Sequence, residues 1–284
     1  MEDIKAIDVM NYPFTQKSVK AWSAKEFQIM ATYIFKNSNA LAGFSKGKTS
    51  KEFVDEMDAA GYDKVFICAT RMYSYRDRKL IWDHQERDVY NAIKEFPDRL
   101  IGIAGYNPFK IEESLKKIET AVKRYGFKGV YFHSLGFNLP LNDKKLYPLY
   151  AKCQELGIPV AMQTGHSLEV MPSDPGRPIY IDEPALDFPN LNFVLSHTGW
   201  PWCEEFVAMA WKHPNVYADV SAHMPKYLDQ SLMRNMDSRM QDKVLFGTNN
   251  LGLKLCKDQF MNLPIRDETK RKVLRDNAIK LYKL

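Results

Sequence analysis

In Phe193-Val-Leu-Ser-His-Thr-Gly-Trp-Pro-Trp202 a short apolar run ends abruptly in a polar, glycine-containing loop. A run this short reads as a strand buried on both faces, with His197 at its C-terminal tip. Two other stretches share the form: Ile7-Asp-Val-Met-Asn-Tyr-Pro13 near the start and Lys243-Val-Leu-Phe-Gly-Thr-Asn-Asn250 near the end. The same signal recurs between them, so strands are predicted over 4–10, 64–70, 100–106, 128–133, 159–163, 192–197, 216–220 and 243–248. Amphipathic stretches separate them, for example 111–125, stopped by Gly126, and 143–156, stopped by Gly157. Strands that alternate with helices form a parallel sheet, and eight such units in 284 residues predict a (β/α)8 TIM barrel, α/β in class, as a single domain over 1–284.

Two connections are too long for a minimal barrel, so the barrel is expected to be distorted. After strand one comes a helical insertion over about 14–62, with helices at 24–36 and 50–60 and a polar joint at 42–48. After strand five comes a long loop over 167–189, rich in Pro, Asp and Gly. Both leave from C-terminal strand ends, where barrel loops build active sites, and both are candidate covers for the mouth.

Composition narrows the function classes. The 40 basic residues are balanced by 35 acidic ones, and Lys116 and Lys117 sit among Glu112, Glu113 and Glu119, which describes solvated helix faces and no nucleic-acid stripe. Cys68, Cys153, Cys203 and Cys256 lie far apart with no paired spacing, so they read as buried, reduced thiols. The opening Met1-Glu-Asp-Ile-Lys5 lacks a basic leader, and no apolar run reaches membrane-spanning length. A cytoplasmic protein is expected, with a small-molecule substrate and neither membrane nor nucleic acid as partner. The tryptophan-rich rim and the insertion are compatible with a homodimer.

In a barrel the C-terminal tips of the strands form one ring around the mouth, although they are distant in sequence. The tips here offer Met10 and Tyr12, Thr70 or Arg71, His133, Gln163 with His166 just beyond, His197, Asp219 or Ser221, and Asn249. Asp8 lies deeper on strand one, where a carboxylate needs a fixed partner. Trp200 and Trp202 flank Pro201 after strand six, one expected to wall the pocket and the other to pack into the rim. His84 and His213 read as surface or capping groups.

At this point the chain resembles the amidohydrolase superfamily, in the branch that includes aminocarboxymuconate-semialdehyde decarboxylase. The resemblance rests on Ile7-Asp-Val9, Gly129-Val-Tyr-Phe-His133, Gly157-Ile-Pro-Val-Ala-Met-Gln-Thr-Gly165, Tyr180-Ile-Asp-Glu-Pro-Ala-Leu-Asp-Phe-Pro189, Ser196-His-Thr-Gly-Trp-Pro-Trp202, Pro214-Asn-Val-Tyr-Ala-Asp219 and Val244-Leu-Phe-Gly-Thr248. It implies hydrolase or decarboxylase activity with divalent metal held by a His-x-His pair on strand one, a His on strand five, a His on strand six and an Asp on strand eight. Carried onto this chain, those positions are Met10 and Tyr12, Gln163, His197 and Asn249, so only His197 keeps the family's residue.

A thioether, a phenol, two neutral amides and one imidazole do not make a converging donor set for a divalent ion. No metal cofactor is therefore expected. An amide at 249 cannot titrate near neutrality, but it donates a hydrogen bond to a developing oxyanion. His197 titrates near neutral pH and suits proton transfer, the alternative being a packed hydrogen-bonding group. Met10 and Tyr12 make the pocket floor apolar, which suits a flat ring, with His133, Gln163, His166 and Trp200 as further binding groups and Arg71 as a clamp for a carboxylate.

Three functional readings stay open. The first is an enzyme that hydrolyses or decarboxylates a small carboxylated, aromatic or cyclic substrate without the usual metal, using His197 and Asn249. The second is a catalytically inactive binding protein that keeps the pocket. The third is a metal-dependent hydrolase with zinc on a relocated His133, His166 and His197 site.

Overall fold

The structure is a computed structural model and describes residues 4–27 and 46–284. Eight strands form one sheet in chain order: Ala6–Asn11, Tyr62–Cys68, Leu100–Gly105, Val130–Phe132, Val160–Gln163, Phe193–Ser196, Val216–Asp219 and Val244–Leu245. Every neighbouring pair is parallel. The first and last strands meet where the Val9 N–H donates to the Phe246 carbonyl at 3.0 Å and the Asn249 N–H donates to the Met10 carbonyl at 2.8 Å. The molecule is therefore the expected TIM barrel, with all eight predicted strands present, the second shifted two residues earlier, the first running 6–11 and the other six shorter than predicted.

Side chains alternate along these strands and fill two separate cores. Ile7, Phe66, Ile103, Tyr131, Val194 and Leu245 fill the barrel interior, while Val65, Leu100, Phe132, Val160, Phe193 and Val216 pack outward against the helices. Among those helices, Ile111–Tyr125 and Tyr147–Leu156 end at Gly126 and Gly157, whose φ angles of 72° and 66° are the left-handed turn that stops a helix. Helix Ser50–Ala60 starts with Thr49 and Glu52 in a reciprocal capping box.

Several expectations change. The helix predicted over 143–156 begins at Tyr147. Between strands two and three, Leu80–Asp83 pairs antiparallel with Arg71–Tyr73 as a separate ribbon, and Glu86–Ile93 is helical. The ribbon carries Trp82 inward, leaving it 1% exposed. His84 is buried, contrary to expectation; His213 takes the expected capping position, as C-cap of helix Cys203–Lys212, but is buried there and bonds Asp182 through Nε2 at 2.6 Å.

The insertion helix at 24–36 and the joint at 42–48 lie largely outside the described residues, whereas the helix at 50–60 is present. The loop over 167–189 carries two short 3-10 turns, Asp174–Gly176 and Pro178–Ile181, and helix Asp182–Asp187. It is pinned over strand five by the Gly165 N–H, which donates to the Gly176 carbonyl at 2.8 Å. Among the described residues no helix is long and apolar enough to cross a membrane.

Candidate active site at the barrel mouth

The tips of strands six and eight leave ordinary strand conformation together. His197, Thr198, Asn249 and Asn250 have φ of 72°, 61°, 51° and 63°, a region that side chains such as Thr198 enter only when surrounding structure holds them there. The twist turns His197 and Asn249 into a pocket of about 710 Å³ of empty space, counted with its mouth. Tyr12, Trp22 and Trp82 wall it, the centroids of Tyr12 and Trp82 and of Trp22 and Trp82 lying 4.7 Å apart with the rings edge to face. Gln163, His166 and His223 also line it, and the long loop adds Leu168 and Glu169. Among the described lining residues there is no Lys or Arg.

Beneath the walls runs a continuous polar chain. The Tyr131 hydroxyl lies 2.9 Å from Gln163 Oε1 and 3.2 Å from His197 Nε2. His197 Nδ1 is 2.6 Å from Ser221 Oγ, which donates in turn to Asp219 Oδ1 through a short hydrogen bond. That carboxylate oxygen also accepts the backbone N–H groups of Ser221 at 2.9 Å and His197 at 3.2 Å. Burial lowers the pKa of His197 to about 4, with Asp219 pulling the other way, so the ring is neutral at pH 7. His223 is likewise lowered to about 4 by burial, and burial raises the phenols of Tyr12 and Tyr131.

The predicted residues separate into those in the pocket and those elsewhere. Tyr12, Gln163, His166, His197 and Asn249 all line it. Met10 is fully buried beside Cys68, Sγ to Sδ 3.5 Å, below the lining. Arg71 does not reach the pocket: its guanidinium is 4% exposed and holds Glu86 bidentately, with both contacts at 2.8 Å, and Asp83 at 3.2 Å, so it cannot clamp a substrate.

His133 fixes its own loop, because Nδ1 accepts the Gly136 N–H at 2.9 Å, and burial lowers its pKa to about 3. Trp200 stands at the rim, 45% exposed, its ring 4.7 Å from that of His166. Trp202 lies under the Arg177 guanidinium at 5.8 Å. Asp8 has the fixed partners expected of it, accepting from the Met10 N–H, the Thr248 N–H and Thr248 Oγ1.

Trp22, Trp82, Tyr131, Glu169 and His223 were missed. Tyr131 carried a signal, since it lies two residues before His133 and so shares its face of strand four. The two tryptophans carried none, because each reaches the mouth from a separate element.

Residues 72–284 match the family model of the amidohydrolases. The chain belongs to the amidohydrolase family. No curated protein matches this amidohydrolase by sequence. Among solved structures it is similar to an uncharacterized TIM-barrel protein from Bordetella bronchiseptica, with TM-score 0.74, 25% identity and 98% of each chain covered. It is also similar to 2,6-dihydroxybenzoate decarboxylase in complex with 2,6-dihydroxybenzoate, with TM-score 0.73, 14% identity and 99% of each chain covered. A third is 5-carboxyvanillate decarboxylase from Novosphingobium aromaticivorans, complexed with manganese and 4-hydroxy-3-methoxy-5-nitrobenzoic acid, with TM-score 0.71, 15% identity, and coverage of 100% of this chain and 97% of that one.

The manganese in that structure overturns the expectation that no metal cofactor belongs on this barrel. The residues of this amidohydrolase at the family's ligand positions nevertheless do not fit the ion. Met10 Sδ faces a thiol, Tyr12 is a phenol whose ionisation burial opposes, and Gln163 and Asn249 are neutral amides. Among the described residues no three His, Cys, Asp or Glu side chains are grouped to hold a metal, so His133, His166 and His197 do not assemble as a relocated site.

Proposed function

We propose that this amidohydrolase-family chain is a carboxy-lyase acting on a small hydroxylated ring carboxylate, with His197 moving the proton. The observation that supports this most is the pocket itself: a wall of three packed aromatic rings shared with His197 and Asn249, with no Lys or Arg among the described lining residues. A planar ring fits against the wall that Tyr12, Trp22 and Trp82 form by packing edge to face on one another. A permanent cation beside its carboxylate would stabilise the ground state, whose charge is localised, more than the transition state, whose charge spreads into the ring as CO2 departs. The described lining residues withhold that stabilisation.

Asn249 adds a specific polar contact. Its Oδ1 is buried without a partner among the described residues and suits a ring hydroxyl as donor, while its amide N–H groups suit an oxyanion. Neutral His197 accepts a proton from a ring hydroxyl and returns it to the ring carbon that loses CO2, so the proton is conserved and one C–C bond is exchanged for a C–H bond. The decarboxylases that share the fold, one solved with 2,6-dihydroxybenzoate, support this class of substrate. Hydrolysis is the second reading, favoured by the same neutral His197 beside Asn249, which also suits activation of water at a carbonyl.

The test is turnover of a panel of hydroxybenzoates, with and without added Mn2+, followed by absorbance and by evolved CO2. At least one acid should be consumed by the wild-type protein, and His197→Gln should lower kcat by about 10²- to 10⁴-fold. If panel acids quench tryptophan fluorescence yet none is consumed in either condition, the reading fails in favour of a binding protein.

A further inference from the structure

We infer that Ser221, held by Asp219, is a positioning residue that fixes which nitrogen of His197 carries the proton and so presents the Nε2 lone pair to the pocket. The inference rests on the proposed role of His197 as the proton-transfer group.

It follows from counting hydrogens along the chain. Asp219 Oδ1 is a carboxylate oxygen and only accepts; it takes the Ser221 and His197 backbone N–H groups and the Ser221 hydroxyl. The hydroxyl has one hydrogen, and it is committed to Asp219. Towards His197 Nδ1, 2.6 Å away, Ser221 Oγ can then only accept. In the neutral ring the proton therefore sits on Nδ1, and Nε2 is left with its lone pair.

On the far side of the ring the Tyr131 hydroxyl donates its single hydrogen to Gln163 Oε1 at 2.9 Å and lies 3.2 Å from Nε2, which under this assignment receives no hydrogen from it. Nε2 is thus incompletely satisfied in the resting site, and a ligand hydroxyl or a water would complete it. Asp219, Ser221 and Tyr131 are 1%, 0% and 1% exposed, so bulk water does not compete for these bonds. Asp219 and Ser221 are two residues apart on the seventh strand and its continuation, which turns both towards the ring while Val220 between them packs outward.

A packing role for Ser221 would leave the tautomer unconstrained, so the tautomer is the readout. In long-range 1H–15N spectra of uniformly labelled protein, with His197 assigned by its loss in His197→Gln, the wild-type ring should carry its proton on Nδ1. Ser221→Ala removes the acceptor at Nδ1 and should move the proton to Nε2. Tyr131→Phe touches only the other side of the ring and should leave Nδ1 protonated. In turnover, Ser221→Ala should lower kcat at least about 10-fold with KM within about twofold.

A wild-type ring protonated on Nε2 overturns the inference, as does a Ser221→Ala protein whose ring keeps its proton on Nδ1. If Ser221→Ala does not fold, the wild-type and Tyr131→Phe spectra still decide. The spectra need no substrate, so failure of the proposed activity and failure of this assignment are read separately.

Discussion

At the scale of single residues, the molecule shows how burial reassigns groups that look alike in sequence. Arg71 and His197 both follow apolar strands, yet Arg71 is captured by Glu86 before it reaches the mouth, while His197 is held open to it. Asp8 gives a prediction. Burial raises its pKa from 3.8 to about 6 against four hydrogen bonds that pull it down. The folded state then holds a proton that the unfolded chain has released, so the contribution of Asp8 is complete below about pH 4 and is lost as pH rises through about 6. Relative to Asp8→Asn, the wild-type protein should lose on the order of 3 kcal/mol between pH 4 and pH 7. Urea unfolding across that range checks it, and parallel stability curves for the two proteins would show that Asp8 is not so perturbed. The partners of Asp8 were foreseeable only in kind; Thr248 supplies them because the barrel closes strand eight onto strand one.

At the scale of elements, the legible parts were those with a repeating signal and a stop. Helix Ile111–Tyr125 could be read to its last residue because Gly126 ends it, and the strands could be read because each is a brief apolar run. The ribbon of Arg71–Tyr73 and Leu80–Asp83 was not legible, since the left-handed position in its turn is taken by Arg78, with φ 53°, and no Gly or Asn marks it. Trp82 entered the pocket unannounced for that reason. The long loop yields the prediction at this scale. A Cβ at Gly176 would lie 2.2 Å from the Gly165 carbonyl, so Gly176→Ala should lift the segment that brings Leu168 and Glu169 over the pocket. Affinity for a ring acid should fall roughly 10-fold, about 1.4 kcal/mol, with the melting temperature of the barrel nearly unchanged. Unaltered affinity in a titration of tryptophan fluorescence would mean that the loop does not shape the site.

At the scale of the whole molecule, the barrel brings together tips that are far apart in sequence, so the repeating strand pattern alone places the candidates on one ring. What could not be drawn was the second circle behind it. Ser221 and Asp219 act on His197 from the neighbouring strand, and Trp22 reaches the mouth from the insertion, so their roles depend on how elements dock and not on any local pattern. The proposed function makes the mouth a pocket in which a ring carboxylate lies against an aromatic wall and exchanges its carboxyl group for a proton. Incubation of a consumed acid in D2O, followed by mass spectrometry and NMR of the product, tests this most directly. Carboxy-lyase chemistry gives loss of CO2 and one deuteron on the carbon that carried it; a product bearing solvent oxygen with its carboxylate intact would contradict it.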